Sequence, residues 1–268
     1  MRRKPELQHE KAARWLFEAH ERRDPYRPIP PHLAPASAGD AYAIQDAFVA
    51  MRAQQLGGIV GYKIALSTPA MQAFVGVGSP QAGCLLQSTV QRSPGLVRAA
   101  DYGRLIVEFE VGVRLGDDLP AADAPFTRER VAKAVQSVMP ALEIADDRCA
   151  DYALLRSHPL DLIADNAWNE GAVLGEASGA WRQLDLAAVR GRAEINGAAV
   201  GEGTGADALG HPFDAVAWVA DHLSALGRGL LRGDVVITGS LVTSKVVAAG
   251  DRVAFHLDGI GSVELSVQ

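Results

Sequence analysis

Apolar positions along the first sixty residues recur at helical spacing. Between residues 7 and 22, Ala12, Leu16 and Ala19 fall on one side of a helix, and the Arg and Lys around them form a solvated face. The stretch PYRPIPPHLAPASAGD that follows is rich in proline, whose fixed φ and missing N–H keep it extended, so it reads as a connector. A second helix is expected to open at Asp40, carry Tyr42, Ile44, Phe48, Met51 and Leu56 at near-helical spacing, and stop at Gly57 and Gly58. Beyond residue 58 the period shortens. IVGYKIAL, LIVEFEVGVRL, ALEIAD, GAVLG, AEINGAAV, DVVITG, DRVAFHL and SVELSV are short β-type runs separated by glycine turns. Asn196-Gly197 signals a tight turn between paired strands, and Gly233-Asp234 and Gly250-Asp251 each place a turn before a β-branched run. Two helices interrupt these strands. One opens near Thr127 and runs through Val131, Val135 and Val138; the other follows His211-Pro212 through Val216, Val219 and Leu223 to Gly227. There is no internal repeat. The pattern predicts an α+β chain: a helical arm or cap over residues 1–58 and a β-rich core over residues 59–268.

Composition narrows the class without selecting a substrate. With 268 residues, 48% of them apolar and 22% charged, the chain is long enough for one substantial core and is neither disordered nor fibrous in type. A net charge of -6 opposes nucleic-acid binding, which needs a basic surface to displace counterions. The start, MRRKPELQHEKAARWLFEAHERRD, is basic like a signal peptide but lacks an apolar core and a cleavage site, so no export is expected. Charges interrupt every apolar stretch before membrane-spanning length, and a cytoplasmic location is the expectation. Cys84 and Cys149 lie far apart without CxxC spacing, which points to buried thiols rather than a disulfide framework or a zinc site.

The candidate chemistry lies in acids that interrupt apolar strands. Glu108 and Glu110 stand at i and i+2 in LIVEFEVGVRL, so their carboxylates share one face of a strand. On a solvent face such a pair is unremarkable; buried, it requires a cation. Ile106, Val107, Phe109 and Val111 are apolar on both sides, as in a strand covered on both faces. Glu143, between Leu142 and Ile144, is a third acid of the same kind. Three such oxygen donors suit Mg²⁺ or Mn²⁺ and leave coordination positions for a bidentate 2-oxo acid and a water.

These blocks resemble the 2-keto-4-pentenoate hydratases and 4-oxalocrotonate decarboxylases of the fumarylacetoacetate hydrolase superfamily. The resemblance runs through AYAIQ (41–45), GYKIALSTPAMQ (61–72), VEFEVGVRLGDDL (107–119), PALEIADDR (140–148) and DLIADNAWNEGAVLG (161–175). It continues through LGHPFDAVAWVADHL (209–223), GDVVITGS (233–240) and GDRVAFHLDGIGSVEL (250–265). It implies a core of curved mixed sheets, a homo-oligomer, and a metal site in which Glu108, Glu110 and Glu143 are the ligands. Lys63, which on its own reads equally as a snorkelling lysine, falls on an active-site lysine in that block, holding the substrate carboxylate or relaying a proton. Asp165 and Asn166 read as turn residues or as substrate contacts, and Thr238, Gly239 and Ser240 as a strand end or as donors to substrate. His211, at a helix start, reads as structural.

The chain departs from the resemblance where GVDQPDFG is usual. It has GVGSPQAG at 76–83, placing Gly78 and Gln81-Ala82 where acids and an aromatic are expected, and Trp168 replaces a small residue. The expected activity is hydration of a 2-hydroxy-2,4-dienoate in aromatic catabolism. The rivals are decarboxylation of a 4-oxalocrotonate-like acid, C–C hydrolysis of an acylpyruvate, and a non-catalytic scaffold subunit. The expected partners are a small 2-oxo acid, a second copy of the chain, and a related hydratase or decarboxylase.

Overall fold

The computed structural model describes residues 7–268; the basic MRRKPE start lies outside the described residues. Helix α1 (Gln8–Glu21) turns Ala12, Ala13, Leu16 and Ala19 inward. It packs on α2 (Ala38–Leu56), which buries Tyr42, Ile44 and Phe48. The start of α2 lies two residues before the expected Asp40. Ser37 is the cap, its backbone extended and its Oγ accepting the Asp40 N–H at 3.1 Å, while the Asp40 carboxylate accepts from Ala36 N at 3.2 Å. Gly57, at φ +82°, ends the helix as predicted. Ala82, Ile163 and Ala164 complete the apolar cluster of the two helices, so the arm is closed by residues of the core.

The core begins with β1 (Ile59–Ala65), α3 (Pro69–Val75), β2 (Gln81–Leu86), β3 (Val90–Arg92), β4 (Gly95–Val97) and β5 (Leu105–Leu115). Helix α4 (Arg128–Ala134) runs directly into β6 (Val135–Asp146), and α5 (Tyr152–Ser157) and α6 (Pro159–Ala164) precede β7 (Asn169–Leu174). The hairpin β8 (Arg190–Ile195) and β9 (Ala198–Thr204), helix α7 (Pro212–Ala225), and strands β10 (Val235–Val246), β11 (Arg252–Leu257) and β12 (Gly261–Val267) complete it. Two mixed sheets form, a seven-stranded one in the order β2-β1-β10-β5-β6-β7-β3 and a five-stranded one in the order β4-β12-β11-β8-β9. The pairs β1–β10, β3–β7 and β4–β12 are parallel. Across the two sheets Phe109 of β5 meets Phe255 of β11, ring centroids 5.6 Å apart, and both are fully buried.

All eight predicted β runs are strands or hairpins. Asn196 and Gly197 both take positive φ, the two-residue turn that matches hairpin twist. The helix expected from Thr127 through Val138 is corrected: it ends at Ala134, and Val135 and Val138 open a strand. Every residue of β6 except Gln136 is buried, and a strand covered on both faces is apolar without alternation, so helical spacing fits it by coincidence. Strand β10 outruns its predicted end at Gly239. Its register against β5 shifts between Ile237 and Ser240 and twice more before Val246, bulges that curve the sheet and absorb the glycine. The thiols also differ from expectation, for Cys84 is buried while Cys149 is exposed.

A buried charge network ties the arm to the core. His20 Nε2 lies 2.6 Å from Asp165 Oδ1 and its Nδ1 3.4 Å from Glu170 Oε1, while Arg52 forks onto Glu170 at 2.8 and 2.5 Å. Arg148 Nη2 donates to the other oxygen of Asp165. Burial alone would lower the His20 pKa, but the adjoining Asp165 and Glu170 carboxylates outweigh it and raise it from 6.5 to about 9. Burial likewise opposes ionisation of Glu170, and Arg52 and His20 overcome it, holding that carboxyl at about 2. A raised histidine pKa contributes stability that is complete below its ordinary value of 6.5 and is lost as pH rises through about 9. The depressed acid contributes stability above its ordinary value of 4.5, lost as pH falls through about 2. We expect His20→Ala to destabilise the fold by about 3 kcal/mol in urea unfolding at pH 7, the scale of breaking a buried ion pair. It should also remove much of the stability loss between pH 7 and 9; an unchanged pH slope would show that His20 is not charged in the native state.

Candidate active site

Strands β5 and β6 pair antiparallel with Glu108 directly opposite Glu143, and Glu110 follows two residues along the same face. One carboxylate oxygen from each of the three lies within 4.8 Å of the others. Glu110 and Glu143 are fully buried and Glu108 partly so. Asn169 Nδ2 donates to Glu143 Oε1 at 2.9 Å, and the Gly239 N–H donates to Glu110 Oε2 at 2.6 Å. Only glycine serves at 239: its φ is +97°, and a Cβ would meet Ser67 Oγ at 2.6 Å. Glu110 Oε1 and Glu143 Oε2 have no hydrogen-bond partner although both are buried. Burial, then the neighbouring Glu143, pushes the Glu108 carboxyl up to about 7, and the same causes in the same order, with Glu108 added, raise Glu110 well above the usual range. Buried acids with unpartnered oxygens converging on one point are the donor set that a hard divalent cation satisfies.

Lys63 of β1 is buried, not snorkelling, with Nζ 3.0 Å from Glu143 Oε1 and 3.4 Å from the Ala167 carbonyl. Burial alone would lower its pKa, but Glu143, Glu108 and Glu110 together raise it, so the ammonium form is held. The Ala167 carbonyl comes from a segment that serves the whole site. Asn166, Ala167 and Trp168 take φ of +51°, +48° and +59°, a run of left-handed residues that L side chains disfavour. Asn166 fixes it: its Nδ2 donates to Cys84 O at 3.0 Å and its Oδ1 accepts from Cys84 N at 2.7 Å, a reciprocal pair on the edge strand β2. Asp165 on one side and Glu170 on the other are the acids of the buried network described above.

A cleft of about 370 Å³ opens onto this centre. Lys63, Glu108, Gly239 and Ser240 line its polar end, and Phe74, Tyr152, Leu155 and Trp168 contribute an apolar wall. Of the residues singled out from sequence, the geometry brings together Glu108, Glu110, Glu143, Lys63 and Ser240. Ser240 Oγ accepts from Phe109 N at 2.9 Å and donates to Val242 O at 2.6 Å. Two are placed elsewhere. Thr238 is fully buried, donates its hydroxyl to Val111 O at 3.0 Å and does not line the cleft; Asp165 is spent on His20 and Arg148. His211 caps α7, its Nδ1 accepting from Phe213 N at 3.0 Å, the structural role expected of it. At the departures, Gly78 is open to its surroundings, while Gln81 is buried with neither amide atom partnered. Sequence reasoning missed Asn169, the Ala167 carbonyl, Phe74 and Tyr152. Asn169 follows Trp168 directly at the start of β7, a polar residue entering an apolar strand as Glu143 does; Phe74 and Tyr152 carried no pattern that distinguishes them from core residues.

The 2-keto-4-pentenoate hydratase of Paraburkholderia xenovorans (strain LB400) is 34% identical over 256 residues, covering 96% of this chain and 93% of that one. The 2-hydroxyhexa-2,4-dienoate hydratase of Comamonas testosteroni is 31% identical over 252 residues, 93% of this chain and 94% of that one. Among solved structures, the 4-oxalocrotonate decarboxylase from Pseudomonas putida G7, complexed with magnesium and adipate, superposes with a TM-score of 0.88 at 26% identity over 97% of each chain. The family profile described as fumarylacetoacetate (FAA) hydrolase C-terminal matches residues 66–268, a span that takes in all three glutamates. On these matches the chain belongs to the fumarylacetoacetate hydrolase family.

Proposed function

We propose that the protein is a divalent-metal-dependent hydro-lyase that adds water to a 2-hydroxy-2,4-dienoate, with Glu108, Glu110 and Glu143 holding Mg²⁺ or Mn²⁺. The observation that carries the reading is the buried trio of carboxylates with orphaned oxygens, set beside Lys63 at the polar end of one cleft. The likeness to hydratases along nearly the whole chain supports the choice of reaction. Bound there by the three glutamates, the cation would supply Lewis acidity to the acid end of the substrate. In the reaction the 2-hydroxyl loses its proton, C5 gains one, and water then gives its hydroxyl to C4 and its second proton to C3. Lys63 holds a proton beside the carboxylate cluster and offers positive charge to the substrate's carboxylate. Asn169 and Gly239 fix one oxygen each of Glu143 and Glu110, leaving the other oxygens free to face a ligand. Residues 59–268 form the catalytic core on this reading. Residues 1–58 act as a cap, of which His20 and Arg52 brace the segment that carries Trp168.

The decarboxylase reading rests on the Pseudomonas putida structure and keeps the same polar end. Acylpyruvate hydrolysis, like hydration, needs a base for water, and the likeness to hydratases along nearly the whole chain favours hydration. A scaffold role gives no account of three costly buried acids. Incubation with 2-hydroxypenta-2,4-dienoate and, separately, with 4-oxalocrotonate decides between the first two: hydration without CO₂ release is expected, and CO₂ release without hydration would overturn the choice.

Replacing Glu108 by Gln is expected to weaken Mg²⁺ or Mn²⁺ binding by at least about 100-fold, beyond the roughly 10–100-fold cost of losing an outer hydrogen-bond partner, and to abolish turnover. Because it removes one of three crowded acids, Glu108→Gln should raise the Tm of metal-free protein while cancelling the Tm gain that metal gives wild type. A variant still stabilised by Mg²⁺ would refute the ligand assignment. Lys63→Met should lower kcat by about 10²- to 10⁴-fold, the range of a lost proton-transfer group. Its metal affinity, read by calorimetry, should be retained or improved, and a variant with wild-type kcat would remove Lys63 from the mechanism.

A further inference from the structure

One wall of the cleft has a definite character. Helices α3, α5 and α6 contribute Met71, Phe74, Leu155 and Leu162, and Tyr152 and Trp168 add their rings. The rings form a continuous series: Trp168 meets Tyr26 at 5.8 Å and Tyr152 at 6.0 Å, and Tyr152 meets Phe74 at 6.2 Å. Trp168 is buried, and its ring is packed between those of Tyr26 and Tyr152. Met71 and Phe74, in contrast, are 46% and 45% exposed, large apolar groups left in water at the mouth of a cavity.

Charged side chains are few in the cleft. Among the described residues that line it, Lys63 is the single cationic side chain, and it is paired with Glu143. Arg104 approaches the Tyr152 ring at 5.7 Å but does not line the cleft. Its guanidinium is taken up by Asp147, with Nε to Oδ1 at 2.8 Å, and by the Ala150 carbonyl at 3.1 Å. Besides Glu108, the other charged lining residue is an acid, Asp207, whose carboxylate accepts from Thr204 N at 2.7 Å. A second carboxylate on the substrate would therefore lose its water against an aromatic wall with no cation among the lining residues to receive it.

We propose that this wall binds an uncharged apolar substituent at the distal end of the substrate. The substrate class is then a mono-acid, a 2-oxo or 2-hydroxydienoic acid bearing an alkyl or aryl tail, and diacids are excluded. Phe74, Tyr152 and Trp168 are the specificity-determining residues. The inference takes the orientation of the acid end from the function proposed above and adds the identity of the tail.

The test is calorimetric titration of the Mg²⁺-loaded full chain with saturated 2-oxo acids that cannot be hydrated: 2-oxobutanoate, 2-oxopentanoate, 2-oxohexanoate, 2-oxoheptanoate and 2-oxoheptanedioate. Affinity should rise by about fourfold per added methylene, as expected for burial of a CH₂ group. 2-Oxoheptanoate should bind at least about tenfold more tightly than the dioate of equal length, since an unpaired buried carboxylate is costly. Phe74→Arg, at an exposed position that leaves folding intact, should narrow or reverse that preference. Trp168→Ala should flatten the dependence of affinity on chain length, because part of the wall that receives the tail is removed. Equal or tighter binding of the dioate, no dependence on length, or no binding of any 2-oxo acid would each overturn the proposal. None of these ligands turns over, so the two readings fail separately. Length dependence without hydration of a dienoate sinks the hydratase alone, and hydration with a flat series sinks the apolar tail site alone.

Discussion

Three carboxylates brought within 4.8 Å of one another in a buried setting, with a single lysine beside them, make a centre whose charges do not balance. Two unit charges of like sign at about 4 Å repel by roughly 4 kcal/mol at the effective dielectric of a protein surface, and by more in its interior. The metal-free protein meets this in part by holding protons, for Glu108 and Glu110 both titrate above the ordinary carboxylate range. It meets it in part with fixed donors, the Asn169 amide and the Gly239 N–H. What these leave over is two buried oxygens with nothing to bind. That residue of unsatisfied charge is what the rest of the site is arranged around, and it is why the proposed reading assigns a divalent cation rather than a proton relay built from the acids alone.

The sheet holds this arrangement through pairing rather than through side-chain contacts. Glu108 and Glu143 face each other because β5 and β6 are in register over nearly their whole length, and a slip of one residue in either strand would turn that strand's acids to the opposite face, away from their partners. Strand β10 adds the Gly239 donor only because its register breaks on either side of Ser240. The regular part of the sheet therefore sets the acids and its irregular part sets their donors. The segment after α6 supplies the remaining contacts from a backbone conformation of the kind that persists only where surrounding structure over-determines it.

Much of this was legible in the chain, and unevenly so. Glu108 and Glu110 announced themselves as acids at period two in a run with no polar face, a conflict that local pattern alone exposes. Glu143 showed the same conflict singly. The β runs were legible because glycine and Asx turns bound them. Val135 and Val138 misled because a strand buried on both sides has no alternation to set it apart from a helix. Asp165 and Thr238 show a different limit. A polar residue in a block that carries the family resemblance reads as functional, but whether it meets a ligand or a buried partner depends on residues far away in sequence, such as His20 for Asp165 and Val111 for Thr238. The aromatic wall was illegible for the same reason: Phe74 and Tyr152 come from short helices of seven and six residues, and only tertiary packing sets them beside Trp168.

The left-handed run at Asn166, Ala167 and Trp168 divides the site into parts that can and cannot change. Within a few residues it offers a carbonyl to Lys63, an amide to Glu143, a ring to the cleft and two acids to the buried network under the arm. An insertion, a deletion or a shift in that stretch disturbs all four at once, and most substitutions must also tolerate its backbone. Helix α3 carries no such burden: Met71 and Phe74 are exposed and stand at the cleft mouth, remote in role from the acids. A change of side chain on that short helix can therefore reshape the cleft mouth without moving the acids, whereas a change of backbone over 166–169 moves cleft and acids together.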